Sequence, residues 1–481
     1  MVKSRGMTVM LTLFHHSMPK WAASYGGWTH PQAVEHFADF ATVVVAELGD
    51  LVDYWVPFNE PTVFVGLTYC AGAWPPGFPE PSPVVSGVCM MAPMIGNYSR
   101  AMAHIALGHR AAARAIRTKY SAPIGCVACF FVKLCSLLTL ACATSSSAAH
   151  NIAYMSPSGA FDVVPALISD RLMTMPFLDS IRGAMDFVGL NYYGQEFMAG
   201  VGKIAVLQEE EYSDSGRAVY PDGLYHMLKT FSKHFKDLPI IVTENGVADD
   251  ADLIRPAYLA EHLLAVAAAR AEGVPVAGYV FWTIADNWEW ADGFCPKFGL
   301  ASVDRSTPEL TRTIRHASFD LFKAIATTKR LTAAQAEAAW APLAAAAANG
   351  TTRSFCRALE GTTGMTGFSG LDAPVPRPLT RKDWRFGRWR APAYVDPVSR
   401  ALRHARAAAF EAVALAAGMD AAALTAKWEE LKAQASSPEA RAKAMDDSKR
   451  WMGGAFTTPP GAAAPPPAAP SAAKHLDSDE L

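Results

Sequence analysis

The chain has 481 residues, 51% of them apolar, and a formal net charge of −2. That balance excludes the global basic excess of a nucleic-acid-binding protein, and the apolar share is ample for a large core. The eight cysteines fall at irregular spacing, which is not the pattern of a disulfide framework, and a chain of this size needs no staples.

The chain opens on "MVKSRGMTVML", basic but without a small-residue cleavage site, so no signal peptide is read there. Thr8–Phe14 reads as a strand, "HPQAVEHFADFATVVVAEL" as a helix and "LVDYWVPFNE" as a second strand. Cys126 and Cys129 form a CxxC, but no second CxxC or His pair follows, so the reading is a buried apolar segment and no metal site. The run 124–143 approaches the length of a membrane span. It carries Lys133 and has globular flanks, so a buried strand running into an irregular segment is preferred. Further on, "DFVGLNYY", "LPIIVTEN" and "PVAGYVFWT" are short apolar runs separated by amphipathic stretches such as "AYLAEHLLAVAAARAEG".

Alternating strand and helix implies parallel strands joined by crossovers, and roughly 250–330 residues suffice for one α/β barrel. The expected domains are a barrel over 1–330, an Ala-rich helical and basic-aromatic extension over 331–455, and a disordered Pro/Ala-rich tail over 456–481. Each apolar run ends in polar or aromatic residues: His15, then Asn59 and Glu60, Asn191 and Tyr193, Glu244, and Trp282. In a barrel of this class the strand C-termini form the catalytic face, and five such ends in succession favour a site over simple strand termination.

Two of these ends carry glutamates. Glu60 sits between Asn59 and Pro61, where proline forbids continuation of the ladder, and Glu244 precedes the tight Asn245-Gly246 turn. Two carboxyls facing each other across a barrel mouth suit retaining glycoside chemistry, with one protonating the leaving oxygen and the other attacking the anomeric carbon. That double displacement requires a separation of about 5–5.5 Å.

On "TLFHH", "FNEP", "GLNYY", "TENG" and "FWTIADNWEWADGF", residues 6–325 resemble glycoside hydrolase family 1, the TIM-barrel β-glucosidases and β-galactosidases. The resemblance implies Glu60 as acid/base, Glu244 as nucleophile, and a substrate-binding set of His15, Asn59, Asn191, Tyr193, Trp282, Glu289 and Trp290. Within that set Asn59 would hold the sugar's 2-hydroxyl and Tyr193 would hydrogen-bond Glu244. No cofactor is implied. His16 stands where the family usually has tryptophan and receives no role, and Trp288 is read as a core aromatic.

A narrower resemblance rests on "LTLFHHSMPKWAASYGGW", "NYYGQE", "YSDSGRAVYPDGLY" and on "DWRFG" followed by "DPVSR". These pieces are similar to the plant sensitive-to-freezing proteins, galactolipid:galactolipid galactosyltransferases of the chloroplast outer envelope. That implies a galactolipid donor and a second galactolipid as acceptor in place of water. Hydrolysis of another β-glycoside is the alternative, and a catalytically dead barrel that binds glycans or a membrane surface is a third reading. Arg381–Arg390 mixes cations with large rings as interfacial segments do, or forms a solvated loop whose aromatics pack on the barrel. The terminal "SDEL" and the sequons at Asn97 and Asn349 keep an endomembrane location open as the alternative.

Measured against the resembling family, the chain starts at the third strand, a truncated gene model being the expected cause and a natural short form the alternative. The stretch 130–159 departs from the family and is read as possible intron sequence. The expected architecture is therefore an incomplete (β/α)8 barrel of six parallel strands. Its open gap falls between "MTVMLTLF" and "PVAGYVFWT".

Overall fold

The computed structural model describes residues 1–70, 72–78, 96–120, 125–127, 151–157, 175–198, 204–205, 210–356, 359–360, 364–365, 375–380 and 383–387. Seven of its strands, in chain order, are β1 (Met10–Phe14), β2 (Tyr54–Phe58), β3 (Gly125–Val127), β4 (Asn151–Pro157), β5 (Phe187–Met198), β6 (Ile240–Asn245) and β7 (Val276–Phe281). β1 pairs in parallel with β2, placing Phe14 opposite Phe58. β3, β5, β6 and β7 form a second parallel run in that order. The six strands expected from the sequence are these, without β4.

The ladder is interrupted twice. Among the described residues β1 pairs only with β2, and β7 only with β6, so both border the expected gap. β2 and β3 lie side by side without ladder hydrogen bonds. Burial follows from this arrangement. The inner strands are packed, with Trp55, Phe58, Ile240 and Val242 at 0% exposure, whereas Val280 on β7 is 45% exposed. β4 falls in the stretch that departs from the family, yet it pairs in parallel with β5 from Asn151↔Asn191 to Pro157↔Met198, beyond the point where β3 stops. The rest of 128–150, including Cys129 and most of the apolar run, lies outside the described residues. Among the described residues no helix is long and apolar enough to cross a membrane.

Helices cover the sheet through the spacing their sequences supply. α1 (Gln32–Leu48) buries Ala33, Phe37, Ala41 and Val45, one residue per turn. α2 is the short Pro61–Val65 turn after β2, α3 spans Gly96–Lys119 and α4 spans Pro176–Ile181. α5 (Pro221–His234) and α6 (Arg255–Ala271) each carry proline in the first turn, where its missing N–H costs nothing. Phe14, Trp28, Phe37 and Phe58 pack edge-on and tilted between α1 and the first two strands. α7 (His316–Thr328) follows β7.

Beyond it the chain stays attached. α8 (Ala333–Ala348) opens on a capping box between Thr332 and Gln335. Its Trp340 donates from Nε1 to Glu261 on α6 (2.6 Å) and packs 4.2 Å from Trp384. β8 (Thr352–Phe355) pairs antiparallel with β9 (Val375–Pro378). Buried Arg353 on β8 bridges Glu211 and Asp214, each at 2.7 Å. Met1–Ala405 forms one compact unit, and Arg406–Leu481 forms a second that lies outside the described residues.

Three sequence expectations need amendment. Cys295 and Cys356 form a disulfide across a separation of 61 residues, so the cysteines are not all free thiols. Irregular spacing hid the pair because it joins the loop after β7 to the extension, and only the tertiary fold brings these together. Trp288 is 55% exposed, hence no core residue; its ring meets Phe294 at the surface. In the basic-aromatic segment Trp384 is 1% exposed, Phe386 packs against the main core, and Arg385 pairs with Glu337, so these rings face the protein. Arg381, Lys382 and 388–390 lie outside the described residues.

Candidate active site

The C-terminal ends of β1, β2, β5, β6 and β7 converge on one cluster. Glu60 follows β2 with φ +40°, a left-handed conformation uncommon for a side-chain-bearing residue, and His16 and Trp290 share that feature. Pro61 then opens α2, so the chain turns away and leaves Glu60 at the strand end. On β6, the turn after Asn245 needs Gly246: a Cβ there would meet the Trp282 carbonyl at 1.9 Å. That close approach joins the ends of β6 and β7.

Asn191 organises the two carboxyls. The β5–β6 register sets it opposite Glu244. Its Nδ2 donates to Glu60 Oε1 (3.0 Å) and Asn59 Oδ1 (3.1 Å), while its Oδ1 accepts from the Thr243 hydroxyl (2.7 Å). Tyr193 donates from its hydroxyl to Glu244 Oε2 at 2.5 Å. Asn59 Nδ2 donates to His15 Nε2 (3.0 Å). Burial holds the His15 imidazole down at about 4, so it is neutral and free to accept at Nε2.

The rings stand beside this polar line. His15 lies 5.4 Å from Trp290 and 6.0 Å from Trp282, and Trp282 Nε1 donates to Glu289 Oε1 (3.2 Å). Every residue of the sequence-derived set is thus brought into one region. The sequence reading missed three others. Thr243 fixes the amide of Asn191, Trp74 sits 5.5 Å from Trp290, and His16 lies buried 4.8 Å from Trp290 and 5.0 Å from Trp74. Only the position of Thr243, immediately before Glu244, offered a signal in the sequence.

Electrostatics separate this cluster from ordinary strand ends. Burial raises the Glu60 carboxyl to about 7, opposed by the Asn191 hydrogen bond and the Arg217 charge. Glu244 is also pushed well above the usual carboxylate range, first by burial and then by the Glu60 charge, while hydrogen bonds from Tyr193 and Asn191 favour its ionised form. Burial thus favours the protonated form at both carboxyls, and the Glu60 charge adds to that at Glu244. Burial lifts Glu289 to about 7 as well. Tyr193, raised by burial and by Glu244, stays a hydrogen-bond donor. Two buried acidic groups of unlike hydrogen bonding, Glu60 to Asn191 and Glu244 to Tyr193, are what an acid and a nucleophile need. Among the described residues no group of three His, Cys, Asp or Glu side chains is placed to hold a metal.

Comparison with known proteins bears on this arrangement. The profile of glycosyl hydrolase family 1 matches residues 1–134 and 171–331. The chain belongs to glycosyl hydrolase family 1. The barrel is thus the family 1 (β/α)8 architecture with six of its strands among the described residues. One relative is the galactolipid galactosyltransferase SFR2, chloroplastic, of Arabidopsis thaliana, 45% identical over 404 residues, which are 84% of this chain and 61% of that protein. Another is the beta-glucosidase-like SFR2, chloroplastic, of Oryza sativa subsp. japonica, 44% identical over 84% of this chain and 58% of the relative. The chain therefore spans about three-fifths of the length of these curated relatives. The crystal structure of the hyperthermophilic beta-glucosidase from Pyrococcus furiosus matches with a TM-score of 0.54 at 28% identity, over 70% of this chain and 69% of that one.

Proposed function

We propose that this family 1 site performs retaining β-glycosyl transfer, moving galactose from one galactolipid to another. The observation that carries the reading is the pair of buried glutamates bridged by Asn191, one hydrogen-bonded to Tyr193 and the other free to hold a proton. Glu244 attacks the anomeric carbon of the donor as Glu60 gives its proton to the departing glycerol oxygen, leaving a galactosyl ester on Glu244 and free diacylglycerol. Glu60, now ionised, takes the proton from a hydroxyl of the second galactolipid. That oxygen attacks the same carbon and expels Glu244.

His15, Trp282, Glu289 and Trp290 are assigned to the sugar. A Trp face covers the apolar side of a pyranose, and an ionised carboxylate accepts from two hydroxyls. Asn59 is assigned to the 2-hydroxyl. The galactolipid substrate is supported by the name of the Arabidopsis relative, and a chloroplast location by the names of both SFR2 relatives. The chloroplast outer envelope is the membrane we assign, with the chain acting at its surface.

Incubation with vesicles of monogalactosyldiacylglycerol, followed by thin-layer chromatography, tests the reading. Oligogalactolipid together with diacylglycerol supports it. Free galactose instead replaces transfer with hydrolysis, and unchanged lipid replaces the enzyme with a binding barrel.

A further inference from the structure

Arg217 sits in the loop between Tyr212 and Ala218, which returns alongside β5. Ser213 grips its backbone twice, accepting from the Arg217 N–H at Oγ (3.1 Å) and donating its own N–H to the Arg217 carbonyl (2.8 Å). The loop itself is anchored, since Asp214 receives Arg353 and its carbonyl accepts from the Cys356 N–H (2.8 Å). It lies so close to β5 that a Cβ on Gly194 would meet the Ala218 carbonyl at 2.2 Å.

That anchoring carries the guanidinium over the Tyr193 ring, 5.4 Å from its centroid. Tyr193 is the residue whose hydroxyl binds Glu244. Among the described residues the carboxylate paired with Arg217 is Glu196, 3.7 Å from Nε and outside hydrogen-bond range. Nε is buried without a partner, and among the described residues no nitrogen of this guanidinium donates a hydrogen bond. Arg255 Nε is also buried without a partner, but the terminal nitrogens of other buried arginines spend their donors. Arg353 donates to Glu211, Asp214 and the Tyr212 carbonyl, and Arg255 to Asp252 and to the Asp249 and Lys297 carbonyls. A mostly buried cation with idle donors is costly unless something else accepts from it. Its charge also lowers the pKa of Glu60 and Glu289 against the raising effect of burial.

We propose that Arg217 is a substrate-contacting residue of this site, its guanidinium donating to hydroxyl oxygens of the bound sugar. The inference rests on the glycoside reading above. The carboxyls of Glu60, Glu244, Glu289 and Glu196 outnumber the single cation, so a phosphate or sulfate on the sugar meets net repulsion. A neutral polyol supplies the acceptors without that charge.

The test compares wild type, Arg217→Met and Arg217→Lys on 4-nitrophenyl β-galactoside and its monodeoxy analogues. Arg217→Met is expected to lose about 10- to 100-fold in kcat/KM on the parent sugar, as loss of a hydrogen bond to a charged group does. One monodeoxy analogue should suffer the same loss with wild type, and wild type and Arg217→Met should handle that analogue equally. Arg217→Lys should recover part of the loss, because the charge returns without the planar fork. A uniform loss on every analogue, or no loss on the parent, overturns the proposal by leaving Arg217 a support for Tyr193 and the loop. The same panel read by equilibrium binding, through quenching of tryptophan fluorescence, scores Arg217 without turnover. A wild type that discriminates the analogues but forms no oligogalactolipid overturns the transfer reading alone. Absence of binding by the parent sugar overturns both.

Discussion

Replacing Tyr193 with Phe removes one hydroxyl and keeps the ring that packs against Phe298. The hydroxyl donates at 2.5 Å to a buried carboxylate, and a hydrogen bond to a charged group is worth about 1.5–3 kcal/mol. At about 1.4 kcal/mol per factor of ten, kcat/KM should fall roughly 10- to 150-fold. A second signature has a definite sign. The Tyr193 hydrogen bond lowers the Glu244 pKa against the raising effects of burial and Glu60, so its loss moves Glu244 higher still. Because the proposed nucleophile must be ionised, the acid limb of kcat/KM should move to higher pH. Pre-steady-state and steady-state rates on 2,4-dinitrophenyl β-galactoside between pH 4 and 9 give both quantities, since this leaving group needs no protonation. An acid limb that stays in place while the rate falls would refute the link between Tyr193 and the charge on Glu244.

Three further outcomes are expected. Glu60→Gln should spare the initial release of dinitrophenol from dinitrophenyl glycosides, slow the following breakdown of the galactosyl ester, and abolish transfer between unactivated lipids. It should also raise the melting temperature at pH 8 but not near pH 4, because a carboxyl raised from 4.5 to about 7 stabilises the fold only while protonated, a difference of roughly 3 kcal/mol by thermal denaturation. Arg353→Met should destabilise by about 3–5 kcal/mol in urea titrations at pH 8, since Glu211 and Asp214 lose their buried counter-ion. Burial raises Asp214 to about 7 even with Arg353 holding it down, so without Arg353 it rises further and that penalty should shrink as pH falls toward 7 and the carboxyl protonates. Cys356→Ser should lower stability by about 4 kcal/mol in urea titrations, the loop-closure value for a 61-residue separation.

How much of this was legible in the sequence depends on whether a residue acts through its own strand or through a distant one. Glu60 and Glu244 were visible because each ends an apolar run, a local conflict between burial and charge. Asn191 and Tyr193 sit on the same strand end and were found with them. Arg217 was not, because its importance comes from a loop folding back over β5, and nothing in "YSDSGRAVYPDGLY" announces that contact. Trp74 was missed for the same reason, and His16 was noticed but given no role because it departs from the residue usual in the resembling family. Glu289 and Trp290 lie in a loop with no periodicity, so only resemblance to a family pointed to them. Composition identified α8 as an Ala-rich helix, but not that Trp340 would reach Glu261. Trp384, buried against Trp340, shows that a basic-aromatic stretch can read as interfacial while its rings face inward.

The side chain of Asn191 has a mechanical consequence. Among the described residues no backbone ladder joins β2 to β3, so the spacing of Glu60 from Glu244 is not fixed by sheet geometry on that side. It is fixed by one amide acting as a strut, braced by Thr243 on β6 and pressing on Glu60 and Asn59. On that side of the barrel, holding Glu60 in place falls to a side chain on β5 and not to the sheet.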